Sequence, residues 1–327
     1  MFNIIPNRKI FLSIAVAIVA ISVSLIAFLG LRFGIDFTGG ALTEVAYTAT
    51  PEKTAVESMI ADELGFAGFS VRASVDEVGR DAFLIRTKDL TEGERSRLHE
   101  ALTSMGGNSE ITRFTSIGPV IGQELRDKAA WAIGAVLAVI ILYVAYAFSG
   151  IGTPVRSWTY GAITILVLMH DILVPTALMG LLGYFLGAEV DVLFVMALLA
   201  VLGYSVNDTI VVFDRVREQL VANRTEHVKE TEEAGLVNRE VTYTLNKPYA
   251  ELVNTAVNQT IARSINTSIT TTLALVALYI LGGDVTQTFA LVLLAGVLAG
   301  TYSSIFIASP LVVAWAKWKG IDVDNVK

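Results

Sequence analysis

Asn207 and Asp208 stand side by side in a stretch, Val192 to Phe213, that otherwise reads as a membrane-spanning helix. An ionised carboxylate in hydrocarbon costs at least about 2.5 kcal/mol. Either a partner or a role that needs its titration has to compensate that cost. The fifth apolar stretch offers a partner. Gln259, Arg263, Asn266, Thr267 and Thr270 recur at helical spacing and share one helix face. A polar face through a span looks into the protein or a water-filled crevice. The alternative for Arg263, about one turn inside the boundary, is to snorkel to the surface. Asp208 lies roughly 8 Å from the inner end of its span, and Arg263 enters from the same side at similar depth. An Asp–Arg contact is therefore geometrically accessible. A carboxylate that alternates between pairing and isolation can pick up and release a proton. The other reading is a static buried ion pair that fixes helix packing.

His170 and Asp171 make a second ionisable pair, in the third apolar stretch, with Pro175 four residues after Asp171. A helical proline cannot donate to the carbonyl four residues back. The spacing thus predicts a kink and a freed carbonyl beside the pair, which suits a polar cavity. Hydrogen bonding of both side chains to neighbouring helices is the competing reading.

The elements that must position these groups are six apolar runs: Ile10 to Leu31, Ala129 to Phe148, Trp158 to about Gly183, Val192 to Phe213, about Gln259 to Leu281, and about Thr288 to Trp315. Runs of about 20 apolar residues match the hydrocarbon thickness of a bilayer. With 54% hydrophobic residues and a mean hydropathy of +0.61, the chain reads as a polytopic α-helical membrane protein with six transmembrane helices. The first run has about twice the apolar core of a signal peptide and no small-x-small site after it, so a retained anchor is expected. There is no cysteine, which excludes disulfides, thiolate metal sites and cysteine nucleophiles. The net charge of -7, without a basic patch, gives no reason to expect nucleic acid. No cofactor and no metal are expected.

Orientation follows from Lys and Arg in the short connections. Arg8 and Lys9, Arg156, the group from Arg215 to Lys247, and Lys317, Lys319 and Lys327 all fall on one side, and the connections near Ala188 and Gly283 have none. Both termini are expected in the cytoplasm. Four segments follow: 1–39 with the first span, an extracytoplasmic domain at 40–127, spans two to six at 128–316, and a cytoplasmic tail at 317–327. The charged loop at about 214–254 reads as a solvated linker with helical extensions.

The outer segment alternates like strands at "LTEVAYTA", "FSVRASVDEV", "DAFLIRT" and "SEITRFTSI". Thr50 and Pro51 open a helix with proline at its first position, and Thr91 with Glu94 makes a capping box for a second. The order βαββαβ predicts a small α+β ferredoxin-like domain between the first and second spans. In "GIDFTGG", Gly34, Gly39 and Gly40 permit backbone conformations closed to other residues. Asp36 can accept from nearby amides and Thr38 can cap. The stretch suits a rigid elbow between span and domain better than direct proton carriage.

Those seven residues resemble the signature of the SecD/SecF protein-export family. "GYSVNDTIVVFDRVRE" and "NQTIARSINTSITTTLALVALYILGG" resemble the fourth and fifth spans of its SecF branch, and "SIGPVIGQEL" and the "HD" of the third span fit it too. The resemblance implies one half of a proton-driven machine of the RND superfamily. Such a half pairs with SecD and assists the SecYEG channel and the SecA ATPase. Together they use the proton motive force to draw preproteins out on the far side of the membrane. It also implies that the proton-relay carboxylate falls on Asp208 and its arginine on Arg263. The loop from Val221 to Leu245 is longer than the family leads one to expect. Two rivals remain in other classes. Asp171 and Asp208 could make an intramembrane aspartyl protease, but no G-x-G-D motif is present. An RND-like proton-coupled exporter of a small solute or lipid would need more than one six-span half. No enzyme is expected.

Overall fold

The computed structural model describes residues 2–76, 78–106, 109–147, 155–233 and 236–325. The expected end of the second span at Phe148 and the last two residues of the tail fall outside these. Among the described residues, six helices are long and apolar enough to cross a membrane: α1 (Arg8–Leu29), α5 (Pro119–Ala147), α6 (Ser157–Leu186), α7 (Val192–Ala222), α8 (Tyr249–Leu281) and a composite sixth. That sixth is α9 (Asp284–Ser303), a π-helical turn (Ser304–Ala308) and α10 (Ser309–Trp318) in series. The spans are longer than the apolar runs because α5, α7 and α8 continue past the apolar stretch as amphipathic extensions. α8 begins at Tyr249, ten residues before Gln259. α6 runs unbroken through Pro175.

Between α1 and α5 a one-turn helix α2 (Ile35–Thr38) leads into a small domain. Its elements are β1 (Gly40–Ala46), α3 (Lys53–Ser58, continued by a π-helical turn Met59–Glu63), β2 (Ser70–Val75), β3 (Asp81–Thr87), α4 (Glu92–Ser104) and β4 (Glu110–Ile117). The four strands form one antiparallel sheet in the order β2-β3-β1-β4. Alternation sends Val45, Val71, Phe83 and Ile85 to one face, where Val56, Met59 and Ile60 of the first helix and Leu98 and Leu102 of α4 cover them. That periodicity-two pattern is why a single-faced sheet forms here. The Thr91–Glu94 capping box is present. The helix after Thr50 starts later than expected: Glu52 is its N-cap and Pro51 lies outside it.

The charged loop departs from its reading as a solvated linker. α7 does extend to Ala222, but β5 (Arg224–Glu233) and β6 (Leu236–Leu245) then pair antiparallel as a ten-residue ribbon. Charge density suggested solvation, whereas the Val, Thr and Tyr content of residues 236–245 favours a strand.

In the membrane region α6, α7 and the sixth span form the centre, and α1, α5 and α8 are mostly uncovered on their outer sides. Gly296 and Gly300 of α9 let α7 approach closely. A Cβ at Gly300 would sit 3.0 Å from Ser205 Cβ, and one at Gly296 would overlap the Val201 side chain. Small residues permit this packing where no hydrophobic effect drives it.

Candidate functional site

Asp208 sits sixteen residues into α7, about 24 Å along the helix from Val192. It is half-buried and held from two other helices. Ser264 Oγ of α8 donates to its Oδ1 at 2.6 Å, and Ser304 Oγ donates to its Oδ2 at 2.5 Å. Ser304 opens the π-helical turn of the sixth span. Both donors are hydroxyls, so the carboxylate is held without a fixed counter-charge.

Arg263 is the neighbour of Ser264, yet its side chain points elsewhere. It is exposed, and among the described residues no ion pair joins it to Asp208. The expected Asp–Arg contact is therefore replaced here by serines. The reason is helical phase: Thr260, Ser264 and Ser268 recur every four residues and form the buried face of α8, which puts Arg263 about 100° round from it. Gln259, Asn266, Thr267 and Thr270 are exposed with Arg263. Thr267 and Thr270 turn their hydroxyls back to carbonyls of their own helix, and Gln259 accepts from Gln219 at 3.1 Å. Asn207 is also exposed.

The second ionisable pair is enclosed. Asp171 has 0% of its surface exposed. His170 Nδ1 lies 2.8 Å from Asp171 Oδ1, Ser303 Oγ donates to Oδ2 at 2.8 Å, and Ser205 Oγ of α7 donates to the same oxygen. Consecutive serines of the sixth span thus divide between the two carboxylates. Tyr204 extends the polar seam to Ser268 at 2.9 Å, and Ser268 meets Thr301 at 2.5 Å.

The elbow joins the small domain to α7. Asp36 Oδ2 accepts from Val192 N at 2.8 Å and so caps α7 from another element, while Asp191 Oδ1 accepts from Phe194 N at 2.8 Å. Arg86 of β3 donates to Thr38 Oγ1 at 2.6 Å and to Phe33 O at 3.1 Å, and pairs with Glu189 at 2.9 Å. Gly39 and Gly40 have φ of 73° and 129°, and a Cβ at Gly40 would press on Thr87 O at 2.6 Å. Gly34 is different: its φ of -72° is open to any residue. Thr38 does not cap a helix start either, since its hydroxyl donates to Gly34 O at 2.9 Å.

Serines 205, 264, 303 and 304 were not singled out from sequence. Serine is ordinary in membrane helices, and the polar stripe read from sequence was the neighbouring one at 259, 263, 266, 267 and 270; the four-residue recurrence at 260, 264 and 268 is the signal that could have found Ser264. The same holds for Asn254, whose Oδ1 accepts from Ile4 N and Ile5 N at 3.1 Å and fastens the N-terminus to α8. Outside the spans, burial pushes the Asp76 carboxyl upward, but hydrogen bonds from Arg80 and Val78 outweigh it and hold its pKa below the usual carboxylate value. Burial, with help from Arg95, lowers the pKa of His99.

Comparison with known proteins adds the following. Residues 97–318 match the family model "Protein export membrane protein SecD/SecF, C-terminal", and residues 24–51 match "SecD/SecF GG Motif". The protein translocase subunit SecF of Thermobaculum terrenum is 36% identical, with 96% of this chain and 94% of that protein covered. The protein translocase subunit SecDF of Thermus thermophilus is 34% identical over 96% of this chain but only 38% of its own length. A crystal structure of SecDF from that organism superposes with a TM-score of 0.76 at 32% identity, covering 97% of this chain and 39% of that one. A second, titled SecDF in Super-membrane-facing form, gives a TM-score of 0.64.

Proposed function

The chain belongs to the SecD/SecF protein-export family, and from that premise we propose that it uses Asp208 as a proton carrier to drive export. In this reading it is the SecF half of the Sec translocase accessory complex. It pairs with SecD, works with SecYEG and SecA, and spends the proton motive force on moving and releasing preproteins on the outer side. Both termini lie in the cytoplasm, residues 40–127 lie outside, and the membrane is the bacterial inner one. The small domain is read as ferredoxin-like, which its strand order β2-β3-β1-β4 supports.

One observation carries the reading. Asp208 is a half-buried intramembrane carboxylate held by two hydroxyls from two different helices, Ser264 on α8 and Ser304 on the sixth span. A hydroxyl can donate to a carboxylate or accept from a protonated carboxyl. The same two serines can therefore serve both protonation states, which a fixed Arg–Asp pair would not. Gaining or losing the proton changes how three spans are tied together. The elbow offers a route outward, since α7 carries Asp208 and its N-terminus is capped by Asp36.

The partner follows from the exposed face of α8. A guanidinium and a row of amides and hydroxyls facing lipid are costly. A second bundle that covers Gln259, Arg263, Asn266, Thr267 and Thr270 removes that cost, and the SecDF name of the longer relative supports SecD as that bundle. Arg263 then serves the relay at the interface between the halves. The test is Asp208→Asn, which keeps the shape and removes the titration. Gradient-driven release of preprotein into the lumen of inverted vesicles should be lost, while copurification with SecD and thermal stability are kept. Preserved gradient-driven release would refute the reading. A large loss of stability would instead identify a structural strut.

A further inference from the structure

We propose that His170 and Asp171 form a second proton-binding site, enclosed in the helix core and linked to Asp208 through Ser303 and Ser304. The proposal deepens the reading of Asp208 as a proton carrier and rests on it for its role in transport.

The chemistry follows from the donors. Asp171 receives two serine hydroxyls and faces His170 Nδ1 at 2.8 Å. When both serines and Nδ1 donate to it, Asp171 acts as an acceptor-only, ionised group. Nδ1 must then carry the ring's proton, and the neutral ring keeps an unshared pair on Nε2. That nitrogen is buried and has no partner among the described residues, in a side chain 4% exposed. The pair therefore holds one negative charge in a dry interior beside an unused base. A proton arriving at Nε2 forms an N–H bond, breaks only the bond to its donor (hydronium or a protonated Asp208), and leaves a neutral imidazolium–carboxylate pair. Neutralising a charge in this place lessens the cost of holding it there.

The link to Asp208 is built from both sides. On α7, Ser205 reaches Asp171 and Asp208 follows three residues later, about 4.5 Å further along the helix. On the sixth span, Ser303 reaches Asp171 and Ser304 reaches Asp208. The π-helical turn begins at Ser304, and such turns frequently mark functional sites. Two carboxylates held by adjacent serines of one span, in low dielectric, titrate as a coupled pair rather than independently. Few other groups intervene. Of the elements packed on α6, α7 brings Asp208, and α9 brings Tyr302, whose ring centroid is 6.1 Å from that of His170. α1 has no acidic or basic residue from Ile10 to Leu29, α5 has none after Lys128, and α10 has none before Lys317.

The test reads the ring directly. The full chain, assembled with its partner bundle in nanodiscs, is labelled with 15N-histidine after replacing the other two histidines by H99Q and H227Q. Nitrogen shifts separate the Nδ1–H ring, the Nε2–H ring and the imidazolium. The expected result is an Nδ1–H ring at high pH that becomes imidazolium as the pH falls. In an added Asp208→Asn the midpoint should move by about half a pH unit or more, as removal of a nearby charge in low dielectric requires. A ring whose state never changes with pH, or a titration indifferent to Asp208→Asn, overturns the proposal. Failure of the Asp208 reading shows separately, as gradient-driven export that survives Asp208→Asn.

Discussion

Arg86→Met tests whether the small domain is latched to the membrane helices through one side chain. The guanidinium makes an ion pair with Glu189, with the two side chains 26% and 29% exposed, and hydrogen bonds to Thr38 Oγ1 and Phe33 O. Methionine keeps the aliphatic stem and deletes all three contacts. At this exposure the ion pair contributes about 0.5 kcal/mol, and each charge-assisted hydrogen bond falls near the low end of its range, about 1.5 kcal/mol. The sum is about 3.5 kcal/mol, or roughly a 400-fold rise in the open fraction of the elbow. Hydrogen exchange reads this at the amides of Gly34, Gly39 and Val190, which bond to Val190 O, Ile35 O and Arg32 O at 2.8, 2.8 and 2.7 Å. Exchange there should accelerate by about 400-fold while amides of the β1–β3 ladder change little. A change under threefold at the elbow would refute the latch. Equal acceleration across the sheet would refute it too, because Arg86 would then act on domain stability.

Gly296→Ala should lower stability by about 1–3 kcal/mol, since the new Cβ overlaps the Val201 side chain and must push α9 off α7; an unchanged thermal midpoint in nanodiscs would contradict that packing. Asn254→Ala removes the acceptor for Ile4 N and Ile5 N and should destabilise the N-terminal tether by about 1–2 kcal/mol, seen as faster exchange at those two amides with little change elsewhere. The folded-state pKa of Asp76 is depressed, so its stabilising contribution is complete above the ordinary carboxylate value and is lost as pH falls through the folded value. Exchange at the β2–β3 turn should accelerate below about pH 4. In Asp76→Asn it should already be fast at neutral pH and nearly flat through that window; a wild-type acid dependence in this variant would refute the assignment.

Much of the architecture was legible from local pattern. Six spans followed from apolar runs matched to bilayer thickness, because a bilayer imposes a length on any helix that crosses it. The four strands and two helices of the outer domain followed from alternation and from the Thr91–Glu94 capping box, which are short-range signals. Asp208 stood out because a carboxylate in an apolar run is costly wherever its neighbours are. Local pattern was weaker where two signals competed. The segment from Arg224 to Leu245 carried enough charge to read as a linker, and cross-strand pairing made it a ribbon.

Partners were decided by tertiary structure alone. Sequence spacing put Arg263 at the same depth as Asp208, but depth along a helix does not set rotation about its axis. Packing of α8 through Thr260, Ser264 and Ser268 chose the rotation, turned Arg263 outward and left Ser264 as the donor to Asp208. Likewise, nothing local to "YSS" at Tyr302 to Ser304 distinguishes two serines that serve different carboxylates. That division exists because the sixth span meets α6 and α7 at once, and a π-helical turn sets the phase of its hydroxyls there. Residue type and period are properties of the chain, whereas which hydroxyl meets which charge depends on the mutual rotation of helices, which only packing fixes.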